Sequence, residues 1–144
     1  MPAELDDSTY NQITEFAEQG DRLAAQGAYR DAIKVYNQGW RLLPEPRSEW
    51  SAATWLLAAI ADAAYLGGFL ASARQALDDV MGCPDALGNP FLHLRRGEVL
   101  FEQGEFDAAA DELMRAYMGA GAEIFASEPA KYLNFLKTRA LLTD

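Results

Sequence analysis

Four residue types recur at one fixed spacing three times along the chain, and this constrains the fold more than any other feature of the sequence. Gly20, Gly27, Tyr29 and Ala32 are matched by Gly97, Gly104, Phe106 and Ala109, and in the middle by Ala61, Gly68, Leu70 and Ala73. Each copy reads as a helix, a turn and a second helix. A small residue where helices cross lets their backbones approach, and a glycine at the turn admits a backbone conformation that other residues resist. A unit of this size cannot bury its apolar face alone, so copies must stack.

The stretch Trp50 to Gly68, WSAATWLLAAIADAAYLGG, carries one charge, Asp62. A membrane span needs about 20 apolar residues without a break. Here Asp62 interrupts the run, Gly67 and Gly68 end it, and FLASARQALDDVM resumes with polar residues at helical spacing. The stretch reads as an Ala-rich helix packed on both sides, inside an array.

The spacing resembles the tetratricopeptide repeat, a helical hairpin of about 34 residues. In that family's register the copies begin near Ile13, Thr54 and Pro90, giving repeats over about 13–46, 54–87 and 90–123 within a single domain. The large first-helix residue matches as Phe16 and Leu57 but is His93 in the third copy. The last small residue matches as Gly39 and Ala116 but is Val80 in the second. PEPRSEW and DALGNP are insertions at the two junctions. The resemblance implies an all-α fold, an α-α superhelix of three hairpins closed by a capping helix. SEPAKYLNFLKTRALL supplies that helix over about 127–142, with Ser127 as N-cap, Glu128 and Pro129 in the first turn, and Tyr132, Leu133, Phe135, Leu136 and Leu141 on an apolar stripe. Residues up to about Ser8 read as a frayed acidic lead-in.

With 22 acids against 12 bases, the formal charge of -10 repels phosphate backbones and anionic headgroups. Nucleic acid and membranes are therefore poor partners, and a basic protein surface is a good one. The first twenty residues hold five acids and no Lys or Arg, the reverse of a secretory signal, so a cytoplasmic location is expected. The single cysteine, Cys83, cannot form an internal disulfide.

In the family it resembles, first helices line a concave groove, with repeat positions 2, 5, 9, 12 and 13 facing it. Position 9 is Asp21, Asp62 and Glu98, an acid in every copy. Position 2 brings Trp55 and Phe91, position 12 brings Tyr65 and Phe101, and position 13 of the third copy is Glu102. The resemblance thus implies an acidic groove with aromatic anchors, in which each acid keeps its water and meets Arg or Lys from a partner. Ala17, Asp21, Ala58 and Asp62 stand where family members that clamp acidic chaperone tails carry Lys, Arg and Asn, which disfavours that ligand.

Catalytic readings are weak. His93 lacks an obvious partner, and Cys83 precedes a proline at a helix end. Gly67-Gly68 has no phosphate-loop pattern, and no histidine accompanies Asp111-Glu112 for zinc, so neither cofactor nor metal is expected. PEPRSEWSAATWLLAAIADA, GNPFLHLRRGEVLFEQG and RAYMGAGAEIF resemble the short acidic repeat proteins that act as immunity factors against contact-delivered bacterial toxins. That resemblance implies docking onto a basic toxin domain. The alternative is a secretion chaperone holding an extended segment, and self-association through an apolar repeat edge also remains open.

Overall fold

The computed structural model describes residues 5–142. Those residues form seven α-helices and two short 3-10 turns, and no strand: α1 (Asp7–Ala25), α2 (Tyr29–Arg41), α3 (Ser51–Leu66), α4 (Leu70–Val80), α5 (Pro90–Glu102), α6 (Phe106–Ala120) and α7 (Ala130–Arg139). Helices pack in consecutive pairs, α1 with α2, α3 with α4 and α5 with α6, so the fold is an all-α helical repeat. Two compact units divide the chain, one running to Leu87 and the other starting at Gly88. The first holds two hairpins, with α3 packed on both α2 and α4; the second holds the third hairpin and α7.

The repeated glycines set one turn three times. Gly27, Gly68 and Gly104 take φ values of +79°, +82° and +78°. After each, the next residue's N–H reaches back to the helix: Ala28 to the Leu23 carbonyl at 2.9 Å, Phe69 to Ala64 at 2.8 Å, and Glu105 to Leu100 at 2.9 Å. This is the bonding of a Schellman helix end, whose left-handed residue is glycine because a Cβ there is strained. The aromatic or leucine two residues on then opens the second helix as Tyr29, Leu70 or Phe106. Ala32, Ala73 and Ala109 are fully buried at the crossing.

Close approach explains the small residue earlier in each copy. A Cβ added to Gly20 would lie 2.4 Å from the Tyr36 ring, and one on Gly97 would lie 2.7 Å from the Leu113 side chain and 3.1 Å from its backbone nitrogen. Ala61, in the equivalent place, is buried. Eight residues of α3 are buried, five of them alanines, as a helix with neighbours on two sides requires. The Thr54 hydroxyl donates to the Pro84 carbonyl at 2.7 Å and the Trp50 indole N–H to the Pro44 carbonyl at 2.8 Å, so both bonds fasten the start of α3, one to the segment after α4 and one to the loop after α2. No helix among the described residues is long and apolar enough to cross a membrane.

Both ends differ from expectation. α1 begins at Asp7, because the Asp6 carboxylate accepts from the Thr9 backbone N–H at 2.7 Å and caps the helix; that bond also holds the Asp6 carboxyl below its usual range. Of the expected frayed lead-in, residues 1–4 lie outside the described residues. The terminal helix runs from Ala130 to Arg139, shorter than 127–142, and Pro129, not Ser127, precedes it. Glu128 turns away to an ion pair with Arg95, and Leu141, beyond the helix, is fully exposed, whereas Tyr132 and Leu136 carry the packing.

Candidate functional site

The eight residues expected to face a groove separate by unit. Asp21, Trp55, Asp62 and Tyr65 belong to the first; Phe91, Glu98, Phe101 and Glu102 belong to the second.

In the first unit α1 contributes Asp21 and α3 contributes the other three. Asp21 is exposed, and its Oδ1 accepts a 2.6 Å hydrogen bond from the Tyr36 hydroxyl. Burial, that bond, and the negative charges of Asp21 and Asp62 all hold the Tyr36 hydroxyl protonated far above its ordinary range. Two carboxylates from two helices therefore act on one buried phenol. Sequence reasoning missed Tyr36, although its ring lies against Gly20, which ties it to that crossing.

The periodicity of α3 places Trp55 and Asp62 seven residues apart, on one stripe, with Ala58 and Ala59 between them. Trp55 is 37% exposed, the alanines and Asp62 are half-buried, and Leu66 at the end of the stripe is 52% exposed. An apolar stripe holding one acid, next to a second acid on α1, is what the first unit offers to a ligand. The opposite side of α3 floors a hollow of about 300 Å³ between α2 and α4, lined by Ile33, Trp40, Leu57 and Ile60. On its rim the Gln75 amide donates to Asp79 at 2.9 Å.

The second unit corrects the expectation for Glu98. Its side chain is completely buried, so it does not keep its water at a groove. One Arg95 nitrogen bridges Glu98 at 2.7 Å and Glu128 at 2.8 Å, and the second Glu98 oxygen accepts no hydrogen bond. Burial, followed by the neighbouring Glu128, pushes the Glu98 carboxyl up to about 9, although Arg95 pulls the other way. At neutral pH Glu98 is therefore an uncharged acid, and the Arg95 charge is matched by Glu128.

Phe101 and Glu102 also meet the chain's own end. Phe101 lies edge-on to Tyr132 and Phe135 of α7, with centroids 5.4 and 5.1 Å away, and to Phe106 at 5.4 Å. Glu102 pairs with Lys131 and accepts from the Tyr132 hydroxyl at 3.1 Å. Phe91 remains 48% exposed, with the Arg95 guanidinium 5.6 Å from its ring centroid.

The expectation that His93 lacks a partner is overturned. Its Nε2 accepts from the Gly88 N–H at 3.0 Å, which leaves the proton on Nδ1, and Nδ1 donates to buried Glu112 at 2.7 Å. Glu112 also pairs with Arg96 at 3.1 Å. Both ring nitrogens are occupied in joining α6 to the loop before α5. Cys83 is buried, and burial, with the Asp79 charge, raises its thiol pKa above the usual value, opposite to what a nucleophile needs. Among the described residues no three His, Cys, Asp or Glu side chains are placed to hold a metal ion. Neither a protein-family model nor a curated protein matches this chain.

Proposed function

We propose that the chain is a tetratricopeptide-type binding module that docks a basic partner protein on the α1–α3 face of its first unit. The observation that carries this reading is the convergence of Asp21 and Asp62 on Tyr36, beside the exposed Trp55 on the same stripe of α3. Acids at the rim attract positive surfaces over distance, and an exposed indole supplies contact area once they meet. The net charge of -10 acts in the same direction.

The biological setting that fits is immunity: occlusion of the basic cleft of a toxin domain. The partner would be a folded domain whose active cleft, built to attract an anionic substrate, becomes the target of an anionic inhibitor. Coexpression with the product of a neighbouring toxin gene tests it. Protection of the cell by wild-type chain, its loss with Asp62→Lys or Trp55→Ala at unchanged helix content, and association that slows with added salt are the expected results. Variants that protect as well as wild type would remove the α1–α3 face from the reading.

A further inference from the structure

We propose that the bond between His93 and Gly88 is an acid-released latch: a second proton on the His93 ring frees the backbone at Leu87 and Gly88, where the first unit ends and the second begins. The latch belongs to the second unit and does not depend on what docks on α3.

The geometry of the ring admits one charge state. The Gly88 N–H donates to Nε2 at 3.0 Å, so Nε2 is a bare acceptor, and the single ring proton sits on Nδ1 and goes to Glu112 at 2.7 Å. A protonated imidazole has two N–H donors and no acceptor. Its Nε2–H would meet the Gly88 N–H, donor against donor, so the closed latch excludes the cation. His93 is 3% exposed, and water cannot take the place of Gly88 at Nε2 unless the loop moves.

That loop is fastened on either side of the bond. Pro84 accepts from the Thr54 hydroxyl, and the Asn89 side chain accepts from the Phe91 N–H at 3.0 Å to cap α5. Between them Leu87 and Gly88 are exposed, and among the described residues the bond to His93 is the one hydrogen bond that either of them makes. Breaking it is a local opening that leaves both fastenings in place.

The surrounding charges do not distinguish the open latch from the closed one. Glu112, from α6, favours the second proton, and Arg96, from α5, pairs with Glu112 at 3.1 Å and opposes it. Asp85 in the loop and Glu123 in the 3-10 turn after α6 are exposed, and Glu128, ahead of α7, is held by Arg95. Only the Gly88 N–H faces the ring in one state and leaves it in the other. Opening therefore takes up a proton, and once the open-state ring is titrated the opening equilibrium rises about tenfold for each unit of falling pH. Imidazole is the side chain that ordinarily changes charge between about pH 5 and 8, and His93 is the chain's only histidine.

Amide hydrogen exchange of the full chain, followed by NMR at pH 8, 7, 6 and 5, tests the latch. Protection of the Gly88 amide, corrected for its intrinsic exchange at each pH, should fall by up to about tenfold per unit as the ring titrates. The Phe69 amide, bonded to the Ala64 carbonyl in the first unit, should keep its protection. Nitrogen shifts of the ring should place the proton on Nδ1 at pH 8 and on both nitrogens at pH 5. His93→Gln offers Gly88 an oxygen that does not titrate and should abolish the pH dependence. Should that variant fail to fold, Glu112→Gln decides: with the carboxylate gone the ring holds its second proton less tightly, so the loss of Gly88 protection should move to lower pH. A doubly protonated ring with Gly88 still protected, or a ring that stays neutral down to pH 5, would overturn the latch. So would loss of protection throughout α5 together with Gly88, because the whole unit would then be unfolding.

Discussion

Replacing Glu98 with glutamine should stabilise the second unit at neutral pH. In the folded chain burial holds the Glu98 carboxyl at about 9, against 4.5 for an ordinary glutamate, so it folds protonated. At pH 7 the unfolded chain has released that proton, and recovering it costs about 1.4 kcal/mol for each pH unit above 4.5, or roughly 3 kcal/mol. Glutamine keeps an oxygen to accept from Arg95 and an N–H to donate towards Glu128, and it needs no proton. Its second amide hydrogen, left without an acceptor in a fully buried site, costs about 1 kcal/mol. The expected gain at pH 7 is therefore about 2 kcal/mol.

The pH dependence distinguishes this account from simple repacking. The raised carboxyl stabilises wild type most below pH 4.5, and that contribution drains away until the pH passes about 9. The advantage of the glutamine variant should accordingly be small or reversed at pH 5 and grow by about 1.4 kcal/mol per unit to pH 8. Urea unfolding at pH 5, 6, 7 and 8 measures it. Far-UV circular dichroism follows both units, while emission from Trp40, Trp50 and Trp55 follows the first alone, since all three tryptophans precede Gly88. A stability difference that stays flat with pH, or a variant less stable than wild type at pH 8, would refute the protonated, buried Glu98.

The remaining predictions concern the repeat framework. Gly104→Ala, at φ +78° with open space around it, should cost about 1 kcal/mol through backbone strain alone, read as a lower urea midpoint at unchanged slope. Gly97→Ala should cost more, about 1–3 kcal/mol, because its Cβ meets both the side chain and the backbone of Leu113; Gly82→Ala, with nothing nearer than 3.9 Å, serves as the control. Tyr36→Phe should lower the stability of the first unit by about 1 kcal/mol by removing the 2.6 Å bond to Asp21, visible in the tryptophan-detected transition. His93→Leu should lower the stability of the second unit by about 2–3 kcal/mol, since buried Glu112 loses its donor and the Gly88 N–H its acceptor.

Much of the fold was legible in the residues because it is set locally. Gly27, Gly68 and Gly104 announce a left-handed turn wherever they stand, and the alanine five residues after each marks a helix crossing; both follow from steric limits within a few residues. The run from Trp50 to Gly68 could likewise be placed inside the array, since a helix so short of charge must be covered on more than one side. Spacing on α3 also put Trp55 and Asp62 on one stripe, because a helix returns to the same face after seven residues.

What covers a face is decided elsewhere in the chain, and there the repeat register misled. Asp21 and Glu98 hold the same repeat position, yet Asp21 is exposed and accepts from the Tyr36 hydroxyl, and Glu98 is sealed in by Arg95 and Glu128. His93 looked isolated because Glu112 lies nineteen residues away and reaches it only when α6 folds back on α5. Local sterics thus determined the helices, their turns and the side of each helix a residue occupies. Tertiary packing alone decided which acids stay charged, since the charge of a carboxyl depends on the water and the partners that distant segments remove or supply.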